Sequence, residues 1–595
     1  MNSFSLPLPR SMGARKSRTR KLCGAALLAS WLLGIAPEGR AQMGDGGLDP
    51  AATSFQKPKR DYHDYQEICL LVDAWVAADP RVESIDLGES REGRSVPAFR
   101  FSSRRPEESS GLSIETRTVL IVGGIDGRSQ AGCEAALWSA HGLLAGIDHL
   151  ASDLSFVVVP WASPDALSRT HEGIDWSGRS MAPTDDDGDG SFAEDGPDDL
   201  DGDGLILDMA VPDPEHGKWC FAEDHRFLVP ARPGDAPRYT LTREGRDDDR
   251  DGLFNEDGLG GVNFNAHFPV GWGSSADAPG RGPWPMSEGV PRRFADLALR
   301  ENVVLCVSFA GAGGGVDFGR PSADSVEGGA SSDAEHRIRL AFERTTGRIG
   351  CSSNVAEPPS GRAVDWIVSV LPCVAMDVAV WGPAVVGVDG RPFAPRLHRG
   401  GTGSGALDRS KEALDAGRPL CDSDAAWAFW LDDIRGGAGF QDWHPVDLGQ
   451  GRVGWVGGWE PRTRYNPPAD CLQGAIEGLP RFVYELVAGL PRLELEILSV
   501  ERMGDLVQID ARVTNRGGLG TDLTHRKGAG EVTVELDRVD PASLVAGSMS
   551  TRFQKLGPSE SSRTLRWMIQ VKPGATVRIR ARAATSPMVI REVRS

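Results

Sequence analysis

Short, nearly unbroken apolar runs recur through the first 490 residues. They are "TVLIVGG" (118–124), "SFVVVP" (155–160), "NVVLCVSFAG" (302–311) and "VAMDVAVW" (374–381). Runs of this length, with no polar alternation, read as strands buried on both faces. Stretches of helical period separate them. "YQEICLLVDAWVAADP" (65–80) spaces Ile68, Leu71, Val72 and Trp75 at helical intervals and stops at a proline. "GCEAALWSAHGLLAG" and "HRIRLAFERTTGRI" read the same way, and "DCLQGAIEGLPRFVYELVAGLP" (470–491) is a closing helical region. The alternation predicts an α/β domain over 61–490, with a mixed or parallel sheet covered on both faces. The period changes at Pro491. "LELEILSV", "LVQIDARV", "EVTVELDRV" and "ATVRIRARA" alternate apolar and polar residues. Period two with Gly, Pro and Asn punctuation predicts a small antiparallel β-sandwich over 491–595. No cluster of catalytic residue types falls in it, so it reads as a structural or adhesive appendage.

A chain of 595 residues exceeds one core. Its net charge of −19 argues against nucleic acid as a partner, because a phosphate backbone needs a basic footprint. The N-terminus has the build of an export signal over residues 1–41. Arg15, Lys16, Arg18, Arg20 and Lys21 precede the apolar run Cys23 to Ala36, and "EGRAQ" offers cleavage after Ala41. Residues 42–60 read as a flexible lead-in. No later segment has the roughly 20 apolar residues of a membrane span. The expectation is an exported protein, periplasmic or extracellular, with no membrane span after cleavage. Eight cysteines then remain, an even number that permits disulfides without assigning them. Cys133, Cys306 and Cys373 lie in apolar runs and read as buried thiols. The absence of a CxxC pair argues against a cysteine zinc site.

Much of the acid lies in an insert at about 183–258. "DDDGDGSFAEDG" (185–196) and "DDDRDGLFNEDG" (247–258) are an internal repeat, with "DLDGDG" (199–204) between them. Each has a D-x-D-x-D-G core: Asp185, Asp187 and Asp189; Asp199, Asp201 and Asp203; Asp247, Asp249 and Asp251. Carboxylates two apart on a tight loop converge on one hard cation, and a following glycine permits the turn. Calcium is the expected ion, in a structural role, with Glu194, Asp195, Glu256 and Asp257 available to complete the shells. The loops are not full EF-hands, because the twelfth position of the first is Gly196.

In this order the pieces resemble the zinc carboxypeptidases of the carboxypeptidase A type, over roughly residues 60–490. "IVGGIDGRSQAG" resembles the family's zinc-loop segment, and "VVVPWASPDA" its "P-x-x-N-P-D-G" stretch. "EDGLGGVNFNAHFPVGW" resembles "G-V-D-L-N-R-N-F-P", and "VLCVSFAGAGGG" the strand carrying the last zinc histidine. "WHPVDLGQGRVGWVGGWEPRTRYNPP" is similar to a late family segment. The resemblance implies an α/β/α sandwich around a mixed sheet, a zinc cofactor, and a peptide or protein C-terminus as ligand.

Position by position, the resemblance implies an altered site. The family binds zinc through H-x-x-E and a later histidine. These positions hold Asp126, Ser129 and Ala310. The Asn-Arg pair that grips a terminal carboxylate reads Asn265-Ala266, so the guanidinium fork is lost. The general-base position falls on Asp377 counting from Pro372, or on Ala379 counting back from Trp381. Arg179 is the candidate for an oxyanion-stabilising arginine. The family's mobile tyrosine has no counterpart, since no tyrosine occurs between Tyr239 and Tyr465. The leading expectation is a catalytically inactive homologue without zinc: a calcium-stabilised, exported peptide-binding or scaffold protein. An active metallocarboxypeptidase with ligands relocated to Asp126, His267 and Asp377 is the first alternative. A surface interaction protein acting through the β domain and the acidic loops is the second.

Overall fold

The computed structural model describes residues 62–103, 116–173, 177–180, 196–247, 254–255, 261–273, 280–312, 315–322, 332–348, 361–382, 427–428, 430–449, 451–461, 463–523, 528 and 530–594. The expected signal (1–41), the lead-in (42–60) and Asp185, Asp187, Asp189, Asp249 and Asp251 lie outside the described residues. So do Glu194, Asp195, Glu256 and Asp257.

Helix α1 (Tyr65–Ala78) opens with a capping box. Asp64 accepts from the Glu67 N–H, and the Glu67 side chain accepts from the Asp64 N–H. Its buried residues are Ile68, Leu71, Val72 and Trp75, the four that the spacing selected. Then come β1 (Val82–Ser84), β2 (Phe99–Ser102), β3 (Arg117–Gly123), α2 (Gln130–Ala145), β4 (Leu154–Val159) and α3 (Pro164–Glu172). Four short strands follow: β5 (Asp208–Pro212), β6 (Trp219–Phe221), β7 (Leu228–Pro230) and β8 (Tyr239–Arg243). The chain re-enters the core with α4 (Gly289–Arg300), β9 (Val303–Ala312), β10 (Val316–Phe318), α5 (Ser332–Thr346), α6 (Ala363–Val370) and β11 (Val374–Trp381). The α/β part closes with β12 (Phe440–Asp447), β13 (Val453–Trp459), α7 (Ala469–Ile476) and α8 (Leu479–Ala488).

The main sheet has the order β1-β2-β4-β3-β9-β11-β10. Its four central strands are mutually parallel; β2 and β10 run antiparallel to them, and edge strand β1 runs antiparallel to β2. Every residue of β3, β4 and β11 is buried, in keeping with their nearly unbroken apolar runs. Strand alternation splits them between two cores. Val119, Ile121, Val307 and Met376 face α1, α2, α5 and α8. Leu120, Val122, Cys306 and Ala375 face α4 and α6. The result is a mixed α/β sandwich of helices on both faces of one sheet.

The acidic insert holds more than loops. Strands β5–β8 join β12 and β13 in a second sheet, order β12-β13-β5-β8-β6-β7, antiparallel throughout. The expected C-terminal β region is present as two four-stranded antiparallel sheets. One holds Leu493–Met503, Leu506–Asn515, Leu544–Ala546 and Leu565–Gln570; the other holds Val532–Asp537, Ser550–Phe553, Thr576–Ala583 and Ser586–Arg594. They share a core of Val507, Ile509, Val534, Trp567 and Ile579.

This region is not a loosely tethered appendage. Leu519 and Leu523 pack into the same core as Phe482, Val487 and Leu490. The buried Arg117 donates to the carbonyls of Pro491 (2.9 Å) and Thr585 (3.1 Å), and to Asp153 (2.6 Å). Cys69, Cys133, Cys220, Cys306, Cys373 and Cys471 all stand as thiols, so the disulfides that an even count permits do not form among the described residues. Among those residues, no helix is long and apolar enough to cross a membrane.

Candidate functional site

The chain leaves β3 toward β4 on one side and returns as β9 on the other. In an open α/β sheet, such a reversal leaves a crevice at the carboxyl ends of the strands. Register fixes what stands there. Gly123 pairs with Phe309, and Ala310 pairs with Ala379. Residues 124–129 therefore sit directly above the ends of β3 and β9. The start of α2 presses on β9 so closely that a Cβ on Gly132 would lie 2.3 Å from the Phe309 carbonyl.

Asp126 is engaged within this loop. Arg128 Nε donates to Oδ1 (3.0 Å), Nη2 donates to Oδ2 (3.1 Å), and the Arg128 N–H donates to Oδ1 (3.1 Å). Burial alone would raise the Asp126 pKa, but the guanidinium outweighs it and holds the carboxyl below its ordinary range. The same pairing raises the pKa of Arg128 despite its burial. Arg128 Nη1 also donates to the Tyr465 hydroxyl (2.9 Å), and its guanidinium lies 4.2 Å from the Tyr465 ring centre. Ser129 is fully buried, and its Oγ accepts the Gly132 N–H (3.1 Å) as the N-cap of α2. The buried Asn466 fixes the loop from above: Oδ1 accepts from the Ala131 N–H (2.9 Å), and Nδ2 donates to the Arg128 carbonyl (2.8 Å). His171 Nδ1 lies 2.6 Å from Nε2 of Gln130, the first residue of α2.

Zinc does not fit this donor set. Both Asp126 oxygens are held by Arg128, the Ser129 hydroxyl caps a helix, and Ala310 offers a methyl group.

Asp377 and Ala379 take different levels in β11. Ala379 lies beside Ala310 at the strand ends, and Asp377 is one pleat deeper, beside Ser308 and Asp317. The Asp377 carboxylate accepts from Arg362 Nη2 (2.7 Å), which also lies 3.1 Å from Asp317; Arg362 Nη1 is 3.5 Å from Asp365. Arg362 is 2 % exposed. Burial raises the Asp365 pKa to about 6, although Arg362 opposes the rise. Asn265 is engaged through its amide oxygen. Its Oδ1 accepts the Ala363 N–H (3.0 Å) at the start of α6, and the Ala266 carbonyl packs on Gly361. The Arg179 stem lies against Gly280, which also touches the Asn263 backbone. The Arg179 carbonyl accepts from Arg169 (2.7 Å).

His267 is a closed structural group. Nε2 accepts the Glu288 N–H (2.9 Å), so Nδ1 carries the proton donated to the Arg281 carbonyl (2.9 Å). Burial lowers its pKa, consistent with that neutral form. Asp126, His267 and Asp377 thus have separate partners and form no metal cluster.

Among the described residues, one group of three has ligand atoms close enough to share an ion: Asp199, Asp201 and Asp203, all within 4.8 Å of one another and exposed. Asp199 accepts from the N–H groups of Gly202 (2.7 Å) and Gly204 (2.9 Å), which hold its pKa low. His444 Nε2 lies 2.7 Å from Asp201, and Gln441 donates to Asp203 (2.9 Å). The loop is anchored by the buried Glu244, which accepts from the N–H groups of Leu200 (2.6 Å) and Leu207 (3.1 Å). Asp247 is not in this group; it pairs with Arg452 at 2.7 Å.

Residues 70–203 match the zinc carboxypeptidase family. Residues 492–594 match a domain of unknown function, DUF8731. Among curated proteins, the inactive metallocarboxypeptidase ECM14 of Saccharomyces cerevisiae is 27 % identical over 117 residues. That match covers 18 % of this chain and 26 % of the yeast protein, so the chain spans about a quarter of that relative. Among solved structures, the carboxypeptidase A of Helicoverpa armigera is 15 % identical, with a TM-score of 0.36, over 60 % of this chain and 72 % of that one. A CARDB domain from Pyrococcus furiosus is 18 % identical, with a TM-score of 0.12, over 18 % of this chain and 88 % of that one.

Proposed function

We propose that this chain is an exported, non-catalytic zinc carboxypeptidase homologue that acts by binding rather than by hydrolysis. The observation that carries the reading is the engagement of Asp126 by Arg128. The remaining carboxylate at the family's zinc positions is neutralised from within its own loop, and Ser129 and Ala310 supply no replacement ligand. A lone zinc-bound water also needs a general base. Ala379 at the strand ends has none to offer, and Asp377 is ion-paired with Arg362.

The Asp199, Asp201 and Asp203 loop is proposed as a structural calcium site, since calcium takes carboxylate and carbonyl oxygens in flexible shells. Export rests on the basic and apolar pattern before Ala41. The reading is tested by incubating the secreted protein with peptides of varied C-terminal residue, with and without added zinc. No release of C-terminal residues is expected in either condition. Zinc-dependent release abolished by Asp126→Asn would overturn it.

A further inference from the structure

The second sheet carries an open cleft of about 760 Å³, within the roughly 300–1,000 Å³ typical of ligand sites. Four aromatic side chains line it: Phe221 of β6, Tyr239 of β8, Trp443 of β12 and Trp455 of β13. Phe221 meets Tyr239 edge-on at 5.1 Å and Trp443 at 5.5 Å. Trp443 Nε1 donates to the Arg226 carbonyl (3.1 Å), which fixes the indole plane. Apart from the buried Tyr239, these rings are half-buried. The site is therefore a preformed aromatic wall on rigid strands.

The charged lining is one-sided. Asp224, Asp235 and Asp442 line the cleft with one guanidinium, Arg226, and one imidazole, His225, which stacks on Phe221 at 6.1 Å. Arg226 is already held by Asp224 (2.7 Å) and by Asp432 (2.6 Å). Asp235 accepts the Arg232 N–H (2.7 Å), and Arg232 and Arg238 lie near it from outside the lining. Asp442 is exposed, and its carboxylate makes no hydrogen bond or ion pair among the described residues. An aromatic face attracts cations through its quadrupole, and an adjacent carboxylate adds to that attraction. An anionic ligand would meet three carboxylates; of the lining cations Arg226 is already ion-paired, which leaves only the His225 imidazole when protonated.

We infer that this cleft binds a cationic side chain, an ammonium or guanidinium group, presented by a polypeptide. The cleft is much larger than one ammonium group, so it has room for the side-chain stem and adjoining backbone. The inference is independent of the zinc reading, because none of these residues belongs to the loop above β3 and β9.

The test is calorimetric titration of the full chain with acetyl-Gly-Lys-Gly-amide. The controls are the same peptide acetylated on Nζ and a neutral chitin trisaccharide. Saturable binding of the lysine peptide is expected, weakened about tenfold by Nζ acetylation and by Asp442→Asn. Trp443→Phe, which keeps the ring and loses the larger indole face, is expected to weaken it less. Equal affinity for the acetylated peptide, tighter binding of the trisaccharide, or no binding of the lysine peptide would each overturn the inference.

Discussion

Two groups of carboxylates in this molecule have opposite surroundings. At the carboxyl ends of the main sheet, Asp126 is paired with Arg128, and Asp377 below it is paired with Arg362. In the exposed loop of the insert, Asp199, Asp201 and Asp203 converge within 4.8 Å, with no arginine or lysine among their partners in the described residues. The first group is charge-compensated by the protein itself, and the second is compensated only in part, by backbone N–H groups, an amide and one histidine. The difference indicates where an ion has something to gain. A cation entering the strand-end crevice must displace a bidentate guanidinium. A cation entering the insert loop relieves mutual repulsion.

The largest expected effect comes from breaking compensation in the main sheet. Arg362→Ala would leave Asp317, Asp365 and Asp377 facing one another without their guanidinium. A loss of about 3–5 kcal/mol in unfolding free energy is expected in urea titration, the range for breaking a buried ion pair. A loss under about 1 kcal/mol would mean that the cluster is not internally compensated.

A second compensated pair sharpens the comparison through pH. His63 Nδ1 lies 2.9 Å from Glu134 on α2. Burial opposes the imidazolium, but Glu134 outweighs it and raises the His63 pKa from 6.5 to about 9. A folded-state pKa above the unfolded one contributes stability that is complete below the unfolded value. That contribution, up to about 3 kcal/mol at 1.36 kcal/mol per unit, should disappear as pH rises through about 9. Unfolding measured between pH 6 and 10 checks it, and Glu134→Gln should flatten the profile.

The smallest effect is expected at Asn265. Its bond to the Ala363 N–H satisfies one orphan donor of α6. Asn265→Ala should cost about 1 kcal/mol and leave peptide binding unchanged. A lost ligand with unchanged stability would instead give Asn265 the anion-gripping role that the sequence suggested.

The sequence announced the sheet because β3, β4, β9 and β11 are short, nearly unbroken apolar runs, which suit strands buried on both faces. It announced the C-terminal sheets through strict alternation. It concealed β6 and β7, each three residues long, because their pairing partners supply the order that their own composition lacks. At the candidate site, the residues at the strand ends could be named from their flanks, but their partners could not. Arg128 and Tyr465 are 337 positions apart, and Ala131 and Asn466 are 335 apart. That Ala379 and not Asp377 stands level with Ala310 is set by the register of β9 against β11, which no count along one strand supplies. The aromatic cleft was equally hidden, since Phe221 and Trp443 meet only once the insert joins the late hairpin.

The most direct measurement is the metal content of the purified protein, by elemental mass spectrometry after dialysis against calcium with trace zinc. Bound calcium that is lost in Asp201→Asn, with no zinc, is the predicted result. One zinc per chain, removed by Asp126→Asn, would contradict it.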